Sequence, residues 1–158
     1  MKRDNFLIGI LVGIAVLVIV ALIVFFMRKD NMVYVNEDTP AGVIQNYIIA
    51  LHKRDFDKAY TYLADLPYKP SAAAFREAFY NHNIDPTNAG IEIGTTDING
   101  DTAAVNIGVI YNPNDPFSNG YQNSEYAQLV KQNGAWKIKQ LPYSFWSFDW
   151  YRNSIPVK

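Results

Sequence analysis

The chain contains no cysteine, which rules out disulfides, thiolate-bound metals and a cysteine nucleophile while saying little about compartment. Histidine is nearly as scarce. His52 and His82 are the only two among 158 residues, and neither has a second ligand four positions on, so no zinc motif exists. Positive charge is also short: from Asn31 onward there are 10 Lys and Arg against 13 Asp and Glu, a formal charge of −3. A nucleic-acid partner is not expected on that balance, because phosphate contacts need a concentrated basic surface. Internal repeats and low-complexity runs are missing, and 158 residues suffice for one domain with a proper core but not for two.

Charge is missing altogether from Phe6 to Met27, "FLIGILVGIAVLVIVALIVFFM". About 22 residues at roughly 1.5 Å each make about 33 Å of helix, enough to cross a bilayer. The stretch exceeds the roughly 7–15 residues of a signal-peptide core, lacks an Ala-x-Ala-like exit and runs into "FFMRKDN". An uncleaved single-pass anchor in the cytoplasmic membrane is therefore expected, in preference to a cleaved signal or a buried core helix. Lys2 and Arg3 before it are nearly balanced by Arg28 and Lys29 after it, so the positive-inside rule bears only weakly on orientation. The expectation is an N-terminus inside and a C-terminal domain outside. Gly9 and Gly13 form a GxxxG that could let two helices approach, although chance spacing is the better reading. Residues 1–29 are thus read as a short tail and anchor, 30–38 as a polar linker reaching roughly 30 Å, and 39–158 as one domain.

Within that domain Thr39 suits an N-cap and Pro40 the first helical position of a helix to about Lys53, with Val43, Ile44, Tyr47, Ile48 and Leu51 at helical spacing. A second apolar set, Phe56, Ala59, Tyr60 and Leu63, follows the charged "HKRD". One straight helix would rotate the two sets apart. A break at Arg54–Asp55, with Asp55 as N-cap of a helix to about Ala64, turns both toward one core. Ser71 caps a third helix with Phe75, Ala78, Phe79 and His82 on one face. The period then changes to two: Ile91 and Ile93, an Asn99–Gly100 type I′ turn signal, and Ala103, Val105, Ile107, Val109 and Tyr111 mark a hairpin. The long loop "NPNDPFSNG" leads to a second hairpin, "EYAQLVK" and "AWKIKQL" around Asn133–Gly134. Helices followed by antiparallel strands mean α+β, with the helices on one face of the sheet and Gly94 and Gly108 as places where it could bend.

The run "TPAGVIQNYIIALHKRDFDKAYTYLAD", the third helix, "NGDTAAVNIGV" and the closing "LVKQNGAWKIKQL" resemble the nuclear transport factor 2-like superfamily over about Thr39 to Leu141. The resemblance implies a cone-shaped domain of about three helices packed on a curved antiparallel sheet, with an apolar cavity whose contents differ among members. Some members are isomerases or dehydratases and many are non-catalytic. It also implies a familiar arrangement, a bacterial single-span envelope protein with such a domain outside.

Chemistry-bearing residues are sparse. Isomerase-like members carry a carboxylate base after the second helix, whereas here "ADLPYKPSAAAF" has two prolines and no acid between Leu66 and Phe75, and Asp65 reads as a helix-end or surface acid. His52 lies in the charged break and His82 on the third helix's apolar face, where a satisfied edge residue is commoner than a base. Asp97, Asn99 and Asp101 start like a calcium loop, but Thr102 stands where glycine is needed and Gly108 where a bidentate Glu is needed, so a hairpin turn is the better reading. No catalytic residue, cofactor or metal site is assigned.

The densest feature is "PYSFWSFDWY", in which Tyr143, Phe145, Trp146, Phe148, Trp150 and Tyr151 surround a single acid, Asp149. Such a cluster can cap a core, stack on a ligand or seat in a membrane interface; capping is the plainer reading. Tyr47, Tyr60, Phe79, Tyr111, Trp136 and Trp146 are the candidates for lining the cavity or touching a ligand. The function expected is a non-catalytic, membrane-tethered module that binds an envelope protein or a small apolar ligand, held in the bilayer by Phe6 to Met27 and able to form a homodimer. The alternative is a small-molecule lyase or isomerase using the cone cavity.

Overall fold

The computed structural model describes residues 5–27, 32–111 and 122–152, in two units that part between Val33 and Tyr34. In the first unit, α1 (Asn5–Met27) is one continuous 23-residue helix. Its side chains are described at 8–24, where all are exposed. Among the described residues no helix is long and apolar enough to cross a membrane.

The second unit opens with the segment before α2 (Pro40–His52) laid against that helix. The buried Asn46 side chain accepts from the Val35 N–H at 2.8 Å and donates to the Val35 carbonyl at 2.8 Å, copying one rung of a β ladder. Lys53 Nζ sits 4.5 Å above the Tyr34 ring. Part of the stretch read as linker, Tyr34 to Asp38, is thus bonded to the domain. Gly42 makes this docking fit, because a Cβ there would collide with the Asn36 carbonyl oxygen.

Thr39 caps α2 by accepting from the Gly42 N–H at 3.0 Å, with Pro40 at the first position. The helix stops as a Schellman motif: Arg54 N–H bonds the Leu51 carbonyl and Asp55 N–H the Ala50 carbonyl, both at 2.9 Å, with Arg54 at φ 58°. Asp55 then caps α3 (Phe56–Thr61), accepting from Lys58 N–H at 3.0 Å. The expected helix to Ala64 is too long. After Thr61 the chain pairs with a sheet edge instead: Ile138 N–H bonds the Tyr62 carbonyl and Ala64 N–H the Ile138 carbonyl, both at 2.8 Å, around a parallel Leu63–Ile138 bridge. Unpaired edge groups of a strand satisfy these residues better than one more helical turn would.

Ser71 caps α4 (Ala72–Tyr80) with its Oγ accepting from Ala74 N–H, and Phe75, Ala78 and Phe79 face inward. His82 does not extend that face. It is exposed, past the helix end at φ 55°, and Ile84 fills the apolar position, its N–H on the Ala78 carbonyl.

Strands β1 (Ala89–Asn99), β2 (Thr102–Tyr111), β3 (Gln122–Gln132) and β4 (Ala135–Gln140) form an antiparallel sheet in that order. The fold is α+β with a four-stranded sheet. Register shifts occur between Ile93 and Thr96, across Gly94, and between Gln128 and Leu129; at Gly108 the ladder is continuous, so only the first of the two expected bend glycines coincides with an irregularity. Asn133 and Gly134 both take positive φ, 52° and 81°, as a type I′ turn requires. The other hairpin differs. Asn99 pairs with Thr102, the turn residues are Gly100 and Asp101, and only Gly100 has positive φ, so the expected type I′ turn at Asn99–Gly100 is not formed. The loop "NPNDPFSNG", 112–120, lies outside the described residues. Ala103, Val105, Ile107, Val109, Ala127, Leu129, Trp136 and Ile138 form the buried side of the sheet, in one core with the buried side of α2.

Residues 34–158 expressed alone are expected to unfold cooperatively in denaturant, since one core serves them all. Gly42→Ala should lower their stability by about 1–3 kcal/mol through overpacking; a variant as stable as the parent would show that the Asn36 backbone moves aside without cost.

Candidate functional site

The domain interior is built of stacked and edge-on rings. Phe75, fully buried on α4, is the hub: its ring centroid lies 6.4 Å from Tyr47, 5.5 Å from Tyr60, 5.1 Å from Phe79 and 5.1 Å from Trp150. Trp146 stands 6.2 Å from Tyr47 and 4.9 Å from Trp150. Of the cavity candidates, Tyr47, Tyr60, Phe79 and Trp146 therefore converge on one cluster. Tyr60 is only half-buried, its hydroxyl donating to the Pro70 carbonyl at 2.9 Å. Tyr111 and Trp136 lie on the sheet. Tyr111 ends β2 with its hydroxyl 3.2 Å from that of Tyr143, and Trp136 is buried on β4 with Lys131 Nζ 5.6 Å from its ring. Phe75 as hub was not legible from helical spacing alone, which marks it as apolar but not as central.

Tyr47 is fully buried, and its hydroxyl donates to the Phe145 carbonyl at 2.9 Å, joining positions 98 residues apart. Burial holds its pKa well above the ordinary tyrosine value. Burial also raises Tyr151, whose hydroxyl donates to the Ala64 carbonyl. At the other side of α2, Glu37 accepts from the Tyr62 hydroxyl at 2.7 Å and from Lys58 Nζ at 3.1 Å. These bonds, Tyr62's first, hold the Glu37 carboxyl below its usual range, while burial and then the bond to Glu37 push Tyr62 up to about 12. Neither Glu37 nor Tyr62 stood out in the sequence, Tyr62 because it lies outside the helical set and is buried only by the turn onto β4.

The carboxyl-terminal aromatics divide. Phe145, Trp146 and Trp150 are buried, whereas Tyr143 and Phe148 are 53% and 62% exposed with nearly parallel rings 6.1 Å apart. Arg152 lies 5.5 Å from the Phe148 ring, and a cleft of about 150 Å³ beside the pair is lined by Lys139 and Arg152 without a carboxylate. A second cleft, of about 290 Å³, lies where α2 and α4 end, with His52, Arg54 and His82 around a floor of Phe56, Phe79 and Ile84. The two histidines, 30 positions apart in sequence, thus share one cleft. Asp65 is exposed, its backbone held by the Gln132 side chain at 2.8 Å and 3.1 Å; Asp149 is exposed; Asp97, Asn99 and Asp101 belong to the exposed end of a hairpin. Among the described residues no group of three acidic or histidine side chains could hold a metal ion.

No family model matches the chain, and no curated protein does. Several solved structures are similar. One is a SEC-C motif containing protein from Rhodopseudomonas palustris, 12% identical, covering 67% of this chain and 79% of its own, at a TM-score of 0.48. Another is described as an NTF2-like transpeptidase, from Campylobacter jejuni, 20% identical over 63% of this chain and 96% of its own, at 0.42. A third, a protein of unknown function with a cystatin-like fold from Nostoc punctiforme, is 17% identical over 61% and 80%, at 0.44. At scores below 0.5 these likenesses carry no argument about what this chain does.

The buried phenols make alkaline stability a test of the interior. Tyr47, Tyr62 and Tyr151 bind their protons more tightly folded than unfolded, so above about pH 10 the unfolded chain holds fewer protons and stability falls as pH rises. The contribution is whole below about pH 10 and is lost through about pH 12 for Tyr62. Denaturation curves between pH 8 and 11 should show this decline, and Tyr47→Phe should flatten it while costing about 1–2 kcal/mol at neutral pH for the lost hydrogen bond. A pH-independent midpoint up to pH 11 would contradict the buried phenols.

Proposed function

We propose that this chain is a non-catalytic, membrane-tethered binding module, with a nuclear transport factor 2-like domain on the envelope side of the cytoplasmic membrane. The observation that carries the reading is the ring-filled interior: Tyr47, Phe75, Trp146 and Trp150 pack ring against ring in the buried core of the domain. The buried inward strand positions support it, being Ala, Val, Ile, Leu and Trp; on the same face Glu125, opposite Ile107, is only half-buried and Lys131, opposite Trp136, is exposed. A lyase or isomerase needs a positioned proton donor or acceptor in a closed site. Recognition then falls to the surface, and the exposed Tyr143–Phe148 pair beside Lys139 and Arg152 is the aromatic patch for an envelope protein or small apolar ligand.

Tethering rests on the charge-free run from Phe6 to Met27, whose helix of 23 residues measures about 34 Å at roughly 1.5 Å per residue. It passes once through the bilayer, N-terminus inside.

Membranes from expressing cells should retain the chain through alkaline carbonate washing, and protease added to intact spheroplasts should digest the domain; digestion only after lysis would reverse the orientation, and loss in the wash would remove the anchor. A photo-crosslinker in place of Phe148 should trap a discrete adduct in such membranes, where one in place of the exposed Asp57 traps none. Trp146→Ala should lower the unfolding midpoint by several degrees, as loss of a buried ring does. Tyr143→Ala, introduced into the chain that carries the crosslinker at position 148, should keep its midpoint and lose the adduct; crosslinking equal at positions 148 and 57 would leave the patch without a role.

A further inference from the structure

The cleft where α2 and α4 end is bordered by two residues in the same unusual conformation. Arg54 and His82 each follow a helix C-cap with positive φ, 58° and 55°, the left-handed position that glycine fills most readily. The hydrogen bonds of both helix ends are closed there: Arg54 N–H reaches the Leu51 carbonyl at 2.9 Å and His82 N–H the Phe79 carbonyl at 3.2 Å. Glycine would serve the backbone at either place at lower conformational cost. Instead the chain keeps a guanidinium and an imidazole, and both line one cleft of about 290 Å³. Its floor includes Phe56 and Phe79, parallel rings 5.2 Å apart, beside the buried Ile84. The one carboxylate in the lining, Asp85, accepts from the Thr87 N–H at 3.0 Å, and its bonding to Thr87 first, with the nearby His82, holds its carboxyl below the usual range.

We propose that this cleft binds a small aromatic carboxylate, its ring against Phe56 and Phe79 and its carboxylate met by Arg54 and His82. A planar guanidinium suits a carboxylate in two-point contact, and an apolar floor with a few polar groups at the rim is the usual composition of a small-molecule site. The inference goes beyond the binding-module reading, because no residue of this cleft lines the aromatic patch at Tyr143 and Phe148.

The test uses the full chain in nanodiscs of zwitterionic lipid, with 4-fluorophenylacetate followed by fluorine NMR and phenylacetamide and phenethylamine as neutral and cationic competitors. Saturable binding of the carboxylate is expected, with the amide and the amine at least about tenfold weaker, as loss of a charge-assisted contact predicts. Arg54→Gly and His82→Gly should each weaken binding about tenfold while leaving the unfolding midpoint unchanged or up to about 3 °C higher, because glycine relieves the left-handed backbone. Arg54→Asn, which tolerates positive φ and removes the cation, should weaken binding equally. No saturable binding of the carboxylate, displacement by the amine as readily as by the carboxylate, or unchanged affinity in the glycine variants would each overturn the proposal. None of these outcomes touches the membrane wash or the Phe148 crosslink, so the two readings fail separately.

Discussion

The hydroxyl of Tyr47 donating to the carbonyl of Phe145 is the contact on which the domain's organisation turns. It joins the first domain helix to the carboxyl-terminal segment across 98 positions, within the buried core. A phenol buried there without a partner would carry the full cost of desolvation, so the carboxyl-terminal segment has to lie where it does. Once Phe145 is held, Trp146 follows it into the interior against Tyr47, and Trp150 meets Phe75. The sheet, three helices and the terminal segment then share one core.

Large rings in edge-on and tilted contact fill the interior, and they stabilise through area as well as geometry. At the periphery lie an exposed ring pair flanked by cations and a cleft at two helix ends. The polar network of Glu37, Lys58, Tyr62 and Asn46 serves a different purpose. It closes the segment before α2 onto the domain, and the low carboxyl pKa of Glu37 follows from its bond to Tyr62 and then from Lys58.

Local signals in the chain were read well where the physics is local. Thr39, Asp55 and Ser71 each cap the helix they precede, because a short polar side chain before an apolar-periodic run satisfies a free N–H whatever surrounds it. The alternation of Ala103, Val105, Ile107 and Val109 placed one face of β2 in the core for the same reason. One departure from the local pattern depends on a partner distant in sequence: Leu63 leaves the helical pattern to pair with Ile138. Two others arise between near neighbours, His82 displaced from the apolar face by Ile84, and the turn at Gly100–Asp101 shifted by one residue through pairing of Asn99 with Thr102.

The candidate site divides in the same way. The abundance of aromatic residues at the carboxyl end, the scarcity of histidine and the absence of cysteine were matters of composition, and they bounded the chemistry before any fold was known. Which rings are buried and which remain exposed, the role of Phe75 as hub, and the meeting of His52, Arg54 and His82 in one cleft came only with the tertiary structure. The physical reason is range. Caps, turns and alternation arise from interactions within a few residues, whereas burial and clefts depend on contacts between segments tens of residues apart, whose identities no local pattern carries.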